Sequence, residues 1–75
     1  MGWYIGITSD PDQRLFTDHK VQYDGEWIYA PTDSNGEARL VEKYFLGLGF
    51  DGGTGGGDYT SKIVYLYKKT SLTSP

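Results

Sequence analysis

Apolar and polar residues alternate along three short stretches of this chain, and such alternation predicts β-strands. The first, residues 3–8, reads WYIGIT and separates Trp3, Ile5 and Ile7 from Tyr4, Gly6 and Thr8. The second is EWIYA, residues 26–30, which follows a YDG turn and ends before Pro31. The third lies within SKIVYLYKKT, residues 61–70, where Val64 and Leu66 face one way and Ile63, Tyr65 and Tyr67 the other. We expect Val64 and Leu66 to join Trp3, Ile5 and Ile7 in one core.

Two helix-start signatures separate these strands. In SDPDQ, Asp10 can cap a helix, Pro11 suits its first position, and Gln13 stands three residues after Asp10. This predicts a short helix over residues 11–19, with Leu15 and Phe16 pointing inward. SNGE, residues 34–37, is a second capping box, and it opens a helix through EARLVEKYFLGLG that ends at Gly47 and Gly49. Its buried stripe is predicted to be Ala38, Val41, Phe45 and Leu48, with Glu42 about 40° from Ala38 on the border of that stripe.

The resulting order, β-α-β-α-β, predicts a single α/β (α+β) domain over residues 1–75, with a small, mostly antiparallel three-stranded sheet and two helices. The chain has 75 residues, near the lower limit for a self-supporting core. It has no cysteine, so neither disulfides nor thiolate-bound metal can stabilise it. No apolar run is long enough to cross a membrane, and a cytoplasmic protein is the default expectation.

The net charge of −3 argues against a surface that grips nucleic acid by bulk electrostatics. The glycine-rich segment DGGTGGGD, residues 51–58, is not expected to form regular structure. We interpret it as a crossover, although a phosphate-cradling loop is an alternative because successive amides can bind one anion. Residues 70–75, TSLTSP, are predicted to be frayed.

Three features together resemble the GIY-YIG nuclease superfamily over roughly residues 3–50: the YIG-T strand, Arg14 eight residues after Gly6, and the helical pair Ala38 and Glu42. In that family a strand with the motif YIG leads to a helix that carries a catalytic arginine. A later helix carries a glutamate that holds a divalent metal. The resemblance implies the same fold here, with Mg²⁺ or Mn²⁺ as cofactor.

The strand that carries the first motif of this family, GIY, would normally precede YIG, but only Met1 and Gly2 stand before Trp3. The segment IVYLYKK, residues 63–69, resembles that missing strand and places Tyr65 at its motif tyrosine. We therefore expect a circularly permuted, GIY-YIG-like arrangement in which the last strand pairs beside the first. A strand lent by a second subunit would meet the same requirement.

The resemblance implies a role for each candidate site residue. Arg14 would stabilise the charge that develops on the phosphate, and Glu42 would be the metal ligand, since hard divalent ions prefer carboxylate oxygen. Tyr4 and Tyr65 would order or deprotonate the attacking water. Each has a plainer alternative: a salt bridge from Arg14 to Asp18 or Asp10, an exposed Glu42 paired with Arg39 or Lys43, and tyrosines that only pack.

His19, the only histidine, is a further candidate base. The family often carries a histidine or tyrosine one helical turn after the arginine. At α-helical spacing Asp18 takes that position and His19 follows it, so a solvated histidine at the helix end is an equal interpretation.

Lys62 and Lys68, with Gly55 and Gly56 of the glycine-rich segment, are predicted to contact nucleic acid. The implied function is a small endonuclease that hydrolyses phosphodiester bonds in DNA. With seven basic residues it should bind DNA weakly unless a homodimer forms or another protein recruits it. The alternative is a catalytically inactive, nuclease-like binding module, such as an accessory protein of phage or mobile-element type. A third, weaker option is a small-molecule or nucleotide binder that uses the glycine-rich segment.

Overall fold

In a computed structural model of the chain, which describes residues 2–52 and 60–74, three strands and two helices follow the predicted order. The strands are β1 (Trp3–Thr8), β2 (Trp27–Pro31) and β3 (Ile63–Lys68). A π-helix spans Gln13–Asp18, and the α-helix α1 spans Asn35–Gly47. The predicted fold class, a small three-stranded antiparallel sheet with two helices, is confirmed.

The last strand lies in the middle of the sheet, whose order is β1-β3-β2. It pairs antiparallel with β1, so that Gly6 is opposite Tyr65 and Tyr4 is opposite Tyr67. On its other side β3 pairs antiparallel with β2, which places Tyr29 opposite Tyr65. The predicted pairing of the C-terminal strand beside the N-terminal one is therefore present.

Each face of the sheet has its own core. On one face α1 packs over β1 and β3, and its core is formed by Ile5, Ile7, Ala38 and Val64. The π-helix covers the opposite face, where Leu15, Val21, Tyr65 and Tyr67 are buried. As predicted from the alternation, Leu66 packs against the first core.

Both predicted helix caps form. Asp10 Oδ1 accepts the Gln13 N–H at 3.1 Å, and Ser34 Oγ accepts the Glu37 N–H at 3.1 Å. One predicted core position of α1 is wrong, because Leu48 is exposed. Leu48 follows the last residue of the helix, where the chain turns at Gly49, φ 100°, and brings Phe50 rather than Leu48 against the core.

The short helix differs from the prediction in its winding. The His19 N–H donates to the Arg14 carbonyl at 2.9 Å, five residues back, instead of to the carbonyl four residues back. This wider winding defines a π-helix. Lys20 then adopts a left-handed conformation at φ 58°, which ends the helix immediately after His19.

The segments predicted to be irregular are held to the fold where they are described. Asp51, at the start of the glycine-rich segment, forms an isolated parallel bridge with Tyr4. Gly55 and Gly56 lie outside the described residues. The tail, which the sequence predicted to be frayed, is attached to His19, whose carbonyl accepts the Ser74 N–H at 2.6 Å.

Candidate functional site

Three of the predicted site residues meet on the π-helix face of the sheet. His19, Tyr4 and Tyr65 lie together with Tyr67, and we refer to these four residues as the His19 cluster. The rings of Tyr4 and His19 are 4.8 Å apart, and those of Tyr4 and Tyr65 are 6.4 Å apart and stacked. Tyr65 therefore lies beside Tyr4 as predicted, although the direct cross-strand partner of Tyr4 is Tyr67.

The hydrogen bonds of the cluster fix the tautomer of His19. Its Nδ1 lies 2.8 Å from the carbonyl oxygen of Ser74, which can only accept, so Nδ1 must carry the proton. The hydroxyl of Tyr67, 3.0 Å from Nδ1, shares that N–H. Nε2 is then left with its lone pair and accepts the hydroxyl proton of Tyr65 at 2.8 Å.

Burial keeps the cluster neutral. It lowers the pKa of His19, as does the charge of Arg14, while the Ser74 hydrogen bond and Asp18 act in the opposite direction. Burial also raises the pKa of Tyr65 and of Tyr67 well above the usual range of a phenol. At neutral pH the neutral phenol of Tyr65 thus donates a hydrogen bond to the neutral imidazole of His19.

Gly6 makes room for Tyr65. A Cβ atom on Gly6 would lie 2.7 Å from Cε1 of Tyr65 and closer still to Cζ and the hydroxyl oxygen. The glycine of the YIG motif is therefore required because the Tyr65 ring lies directly over it. The strand alternation placed Gly6 on this face, but it did not indicate which side chain would fill the space.

The π-helix brings His19 into line with Arg14. In an α-helix Asp18 would stand one turn after Arg14, but the wider winding places His19 there, through the N–H bond to the Arg14 carbonyl. The α-helical period predicts Asp18 at this position, so it does not reveal that His19 aligns with Arg14. A pattern of buried Leu15, His19 and Val21 does not by itself distinguish a π-helix from a short α-helix followed by a turn.

Arg14 lies in a polar cleft of about 320 Å³ next to the cluster, the Arg14 cleft, which is lined by Thr8, Ser9, Asp10, Gln13, Arg14, Asp18 and Ser61. Its guanidinium Nη1 is 3.4 Å from Asp18 Oδ2, and both side chains are about one-third exposed, at 37% and 36%. The salt bridge to Asp18, the plainer alternative for Arg14, is therefore present. Such an exposed pair contributes under about 1 kcal/mol, so it would yield readily to a phosphate.

Glu42 does not line the Arg14 cleft. Its side chain is buried on α1, only 7% exposed, and its Oε2 has no hydrogen-bond partner among the described residues. Burial raises the pKa of this carboxyl, and the charge of Arg39 partly opposes that shift. The charges of Glu42 and Arg14 both act on the pKa of Tyr65, which places the tyrosine within the field of both groups.

The two predicted nucleic-acid residues that the structure describes, Lys62 and Lys68, are not brought together. Lys62 follows Ser61, which lines the Arg14 cleft, whereas Lys68 ends β3, roughly 20 Å farther along the strand. Lys68 pairs with Glu26 at 3.5 Å. Lys69, next to it, forms an ion pair with Asp51.

Among the described carboxylates Glu42 is best suited to a cation, because it is buried and one of its two carboxylate oxygens, Oε2, has no hydrogen-bond partner among the described residues. No group of three or more His, Cys, Asp or Glu side chains that could hold a metal occurs among residues 2–52 and 60–74. Within the same residues, none of the helices is long and apolar enough to span a membrane.

We compared this chain with known protein families, with curated proteins and with solved structures, and none of the three comparisons found a match.

Proposed function

We propose that the chain is a small metal-dependent endonuclease that hydrolyses phosphodiester bonds in DNA, built as a permuted GIY-YIG-like domain. The observation that carries this proposal is the Tyr65–His19 hydrogen bond at 2.8 Å beside the Arg14 cleft. Hydrolysis of a phosphodiester requires a proton acceptor and a cation, and the His19 cluster and Arg14 supply these on the same face of the sheet, although no residue of the cluster lines the cleft itself.

The pairing of β3 with β1 supports the permuted arrangement. It brings IVYLYKK beside WYIGIT and sets Tyr65 against Gly6. The motif tyrosine and the motif glycine, separated by most of the chain in sequence, are then direct cross-strand neighbours. This is the relation expected if the C-terminal strand replaces the missing first motif.

The proton steps belong to the cluster. Because the pKa of Tyr65 is raised, the phenolate is not available at neutral pH. Instead, the Tyr65 hydroxyl gives its proton to Nε2 of His19 as its oxygen accepts one from the attacking water. The water oxygen bonds to phosphorus, the bond from phosphorus to the leaving oxygen breaks, and the leaving oxygen takes up a proton from solvent while His19 later loses its extra proton to solvent. Arg14 would stabilise the charge that develops on the phosphate.

Glu42 would hold the Mg²⁺ or Mn²⁺ ion. The unpartnered Oε2 fits a cation, since a buried carboxylate oxygen without a donor is otherwise costly. When bound, the ion would supply Lewis-acid stabilisation of the phosphate and leaving oxygens, with water and substrate as its remaining ligands.

A second function, a nuclease-like DNA-binding module without catalysis, is favoured by two specific observations. The exposed fraction of Tyr65 is only 2%, and Arg14 and Glu42 do not line one cleft. In this case the Arg14 cleft would bind a phosphate without hydrolysing it, as in an accessory protein of phage or mobile-element type. For either function we propose a cytoplasmic location, which is the default expectation from the sequence.

Plasmid cleavage separates the two functions. Supercoiled DNA with Mn²⁺ is incubated with the wild type, Arg14→Ala and Glu42→Gln, and Arg39→Ala serves as the matched control. Arg39 carries the same charge but is held on α1 by Asn35 at 3.1 Å. Because its charge lowers the pKa of Glu42, this control should show a small loss of metal affinity but no loss at the Arg14 cleft. We expect the rate to fall at least about 100-fold in Arg14→Ala and to stay within a few-fold in Arg39→Ala.

Equal rates in the two arginine variants would overturn the nuclease proposal, as would a wild type that does not cut. DNA binding that depends on Arg14 but not on Arg39, without any cutting, would instead support the binding module.

A further inference from the structure

The two edges of the sheet are treated differently. The edge at β1 is covered, since the Ile5 N–H donates to the Asp51 carbonyl at 2.8 Å and the Asp51 N–H to the Trp3 carbonyl at 2.9 Å. The outer edge of β2 has no such cover among the described residues. An uncovered edge presents main-chain donors and acceptors that can pair with another strand.

The register shows which groups point outward. The Glu26 carbonyl accepts the Lys68 N–H at 2.9 Å, and the Thr32 N–H donates to the Lys62 carbonyl at 2.8 Å. Because antiparallel pairs alternate, the even-numbered positions of β2 bond to β3 and the odd-numbered ones face outward. The outward groups are those of Trp27, Tyr29 and Pro31, and the last of these has a carbonyl but no N–H.

The sheet face next to this edge is apolar. Because α1 packs over β1 and β3, it leaves a groove of about 220 Å³ beside β2, lined by Ile28, Ala30, Val41, Phe45 and neighbouring side chains. Ile28 and Tyr44 are exposed at 60% and 65%. None of the five residues of β2 carries a charge, although edge strands usually carry charges that discourage pairing.

We propose that a second copy of this chain binds here, through antiparallel pairing of β2 with β2 about a two-fold axis at Tyr29. The Tyr29 N–H would donate to the carbonyl of the partner's Tyr29, and the Trp27 N–H to the carbonyl of the partner's Pro31. Counted from both copies, this makes four hydrogen bonds. Pro31 is compatible with this register because only its carbonyl is needed, as a hydrogen-bond acceptor.

The same register fits the side chains. Ile28 meets the partner's Ala30, a large side chain against a small one, and the two apolar grooves become continuous. The outward pattern is thus complementary to itself, which is what a two-fold contact requires. An unrelated strand would bind equally well only if it needed no hydrogen-bond donor opposite Pro31.

The size of the contact sets the expected affinity. A strand of five residues is roughly 17 Å long, and a stable dimer usually buries about 800 Å² per partner. That area would be about one-sixth of the 4640 Å² surface of the chain. One short strand edge and its groove bury less area than this. We therefore expect a weak dimer with a dissociation constant of roughly 10–100 μM.

Charge gives the dimer a second signature. Each copy carries a net charge of −3, and Glu26 and Asp33 flank the edge. The copies repel each other at low ionic strength, so added salt should strengthen the dimer by screening.

A two-fold axis perpendicular to the sheet keeps each face on its own side. Both His19 clusters would therefore lie on one face of a six-stranded sheet. Since Tyr65 pairs with Tyr29, the two Tyr65 residues would be about 14 Å apart, three strand spacings. The dimer itself does not depend on the proposed nuclease activity.

Sedimentation velocity on the full chain from about 5 to 500 μM tests the proposal. Tyr29→Pro is compared with Tyr29→Ala, because both lose the ring but only the proline loses the outward N–H. Ile28→Lys is compared with Leu72→Lys, which places the same charge on an exposed apolar residue of the tail. Circular dichroism verifies that each variant folds, as expected because the Tyr29 N–H does not bond to β3.

We expect Tyr29→Pro to dimerise at least about tenfold more weakly than Tyr29→Ala, and Ile28→Lys to be monomeric while Leu72→Lys dimerises like the wild type. A wild type that remains monomeric at 500 μM overturns the proposal, even if some other peptide binds the edge. A dimer that Tyr29→Pro and Ile28→Lys leave unchanged also overturns it, since the contact would then lie elsewhere.

Discussion

Gly6→Ala tests whether the glycine of the YIG motif exists to admit Tyr65. The new methyl group would lie 2.7 Å from Cε1 of a ring that is only 2% exposed. The ring has little room to move, because Tyr4 and Tyr67 lie beside it and its hydroxyl is bonded to His19. The substitution must therefore either strain the strand pair or displace the ring.

Two contributions set the magnitude. Overpacking of a filled core costs about 1–3 kcal/mol, and losing the buried Tyr65–His19 hydrogen bond costs about 1–3 kcal/mol more. Replacing glycine within a strand returns about 0.5–1 kcal/mol. The free energy of unfolding should then fall by about 1–5 kcal/mol, which for a domain of this size lowers the melting temperature by at least about 4 °C.

The assay is urea unfolding monitored by circular dichroism, in a double-mutant cycle with Tyr65→Leu. In the Tyr65→Leu background the shorter side chain leaves space, so Gly6→Ala should cost less than about 1 kcal/mol. Gly47→Ala is the matched control, because a Cβ there meets nothing within 4 Å. It should be neutral or stabilising, since Gly47 lies in α1.

The reasoning is refuted if Gly6→Ala is as stable as the wild type, or if it costs the same with the tyrosine as with the leucine at position 65. The second result would place the strain in the strand itself.

Further predictions concern the buried ionisable groups and the chain ends. Because burial lowers the pKa of His19 from 6.5, the unfolded chain takes up that proton more readily, so the free energy of unfolding should fall as the pH drops below about 6.5, and His19→Gln should reduce this slope in urea titrations. Burial raises the pKa of Glu42, so its ionisation at neutral pH opposes folding, and Glu42→Gln should raise the melting temperature at pH 7 but not at pH 4. Nitrogen-15 shifts should show His19 protonated at Nδ1, and a chain truncated before Ser74 should lose that preference; a tautomer unaffected by truncation would contradict the assignment. A permutant that joins Lys69 to Gly2 through Asn-Gly and opens the chain within residues 53–59 also removes residues 70–75, so it is compared with a chain that ends at Lys69. It should keep the amide shifts of the sheet seen in that shortened chain, whereas a permutant that unfolds while the shortened chain folds would show that the present order of the strands is required.

The strands could be predicted because alternation reports directly on burial. Ile5, Ile7 and Val64 are buried where the period-two pattern put them. The prediction that Leu48 is buried was wrong, because Leu48 lies one residue beyond the end of α1. A periodic pattern does not show at which residue a helix ends.

The site could be predicted only in part, because its geometry depends on the winding of one helix. The resemblance to the GIY-YIG family implies Tyr4, Arg14, His19 and Tyr65 as candidate site residues, and three of these four belong to the His19 cluster. The position of His19 relative to Arg14, however, is set by a five-residue hydrogen bond that α-helical spacing does not describe. That bond is stabilised by tertiary contacts of His19 with β3 and the tail, which no local sequence pattern contains.

If the chain is a permuted GIY-YIG-like domain, as proposed, the ends of β3 and β1 lie where the unpermuted connection would be. The Lys69 N–H donates to the Gly2 carbonyl at 2.6 Å, one pair beyond Trp3 and Lys68. In a two-residue hairpin that joined Lys69 to Gly2, these two residues would form the hydrogen-bonded pair next to the turn. A chain with the order GIY then YIG would connect these two strands there at little entropic cost, because the loop would be short. The present chain must instead close β1 and β3 across more than 50 residues, and the buried Tyr65–His19–Ser74 bonds are among the contacts that offset this loss. The cluster therefore stabilises the sheet at the same place where it would perform chemistry, and a variant that disrupts it should lose both together.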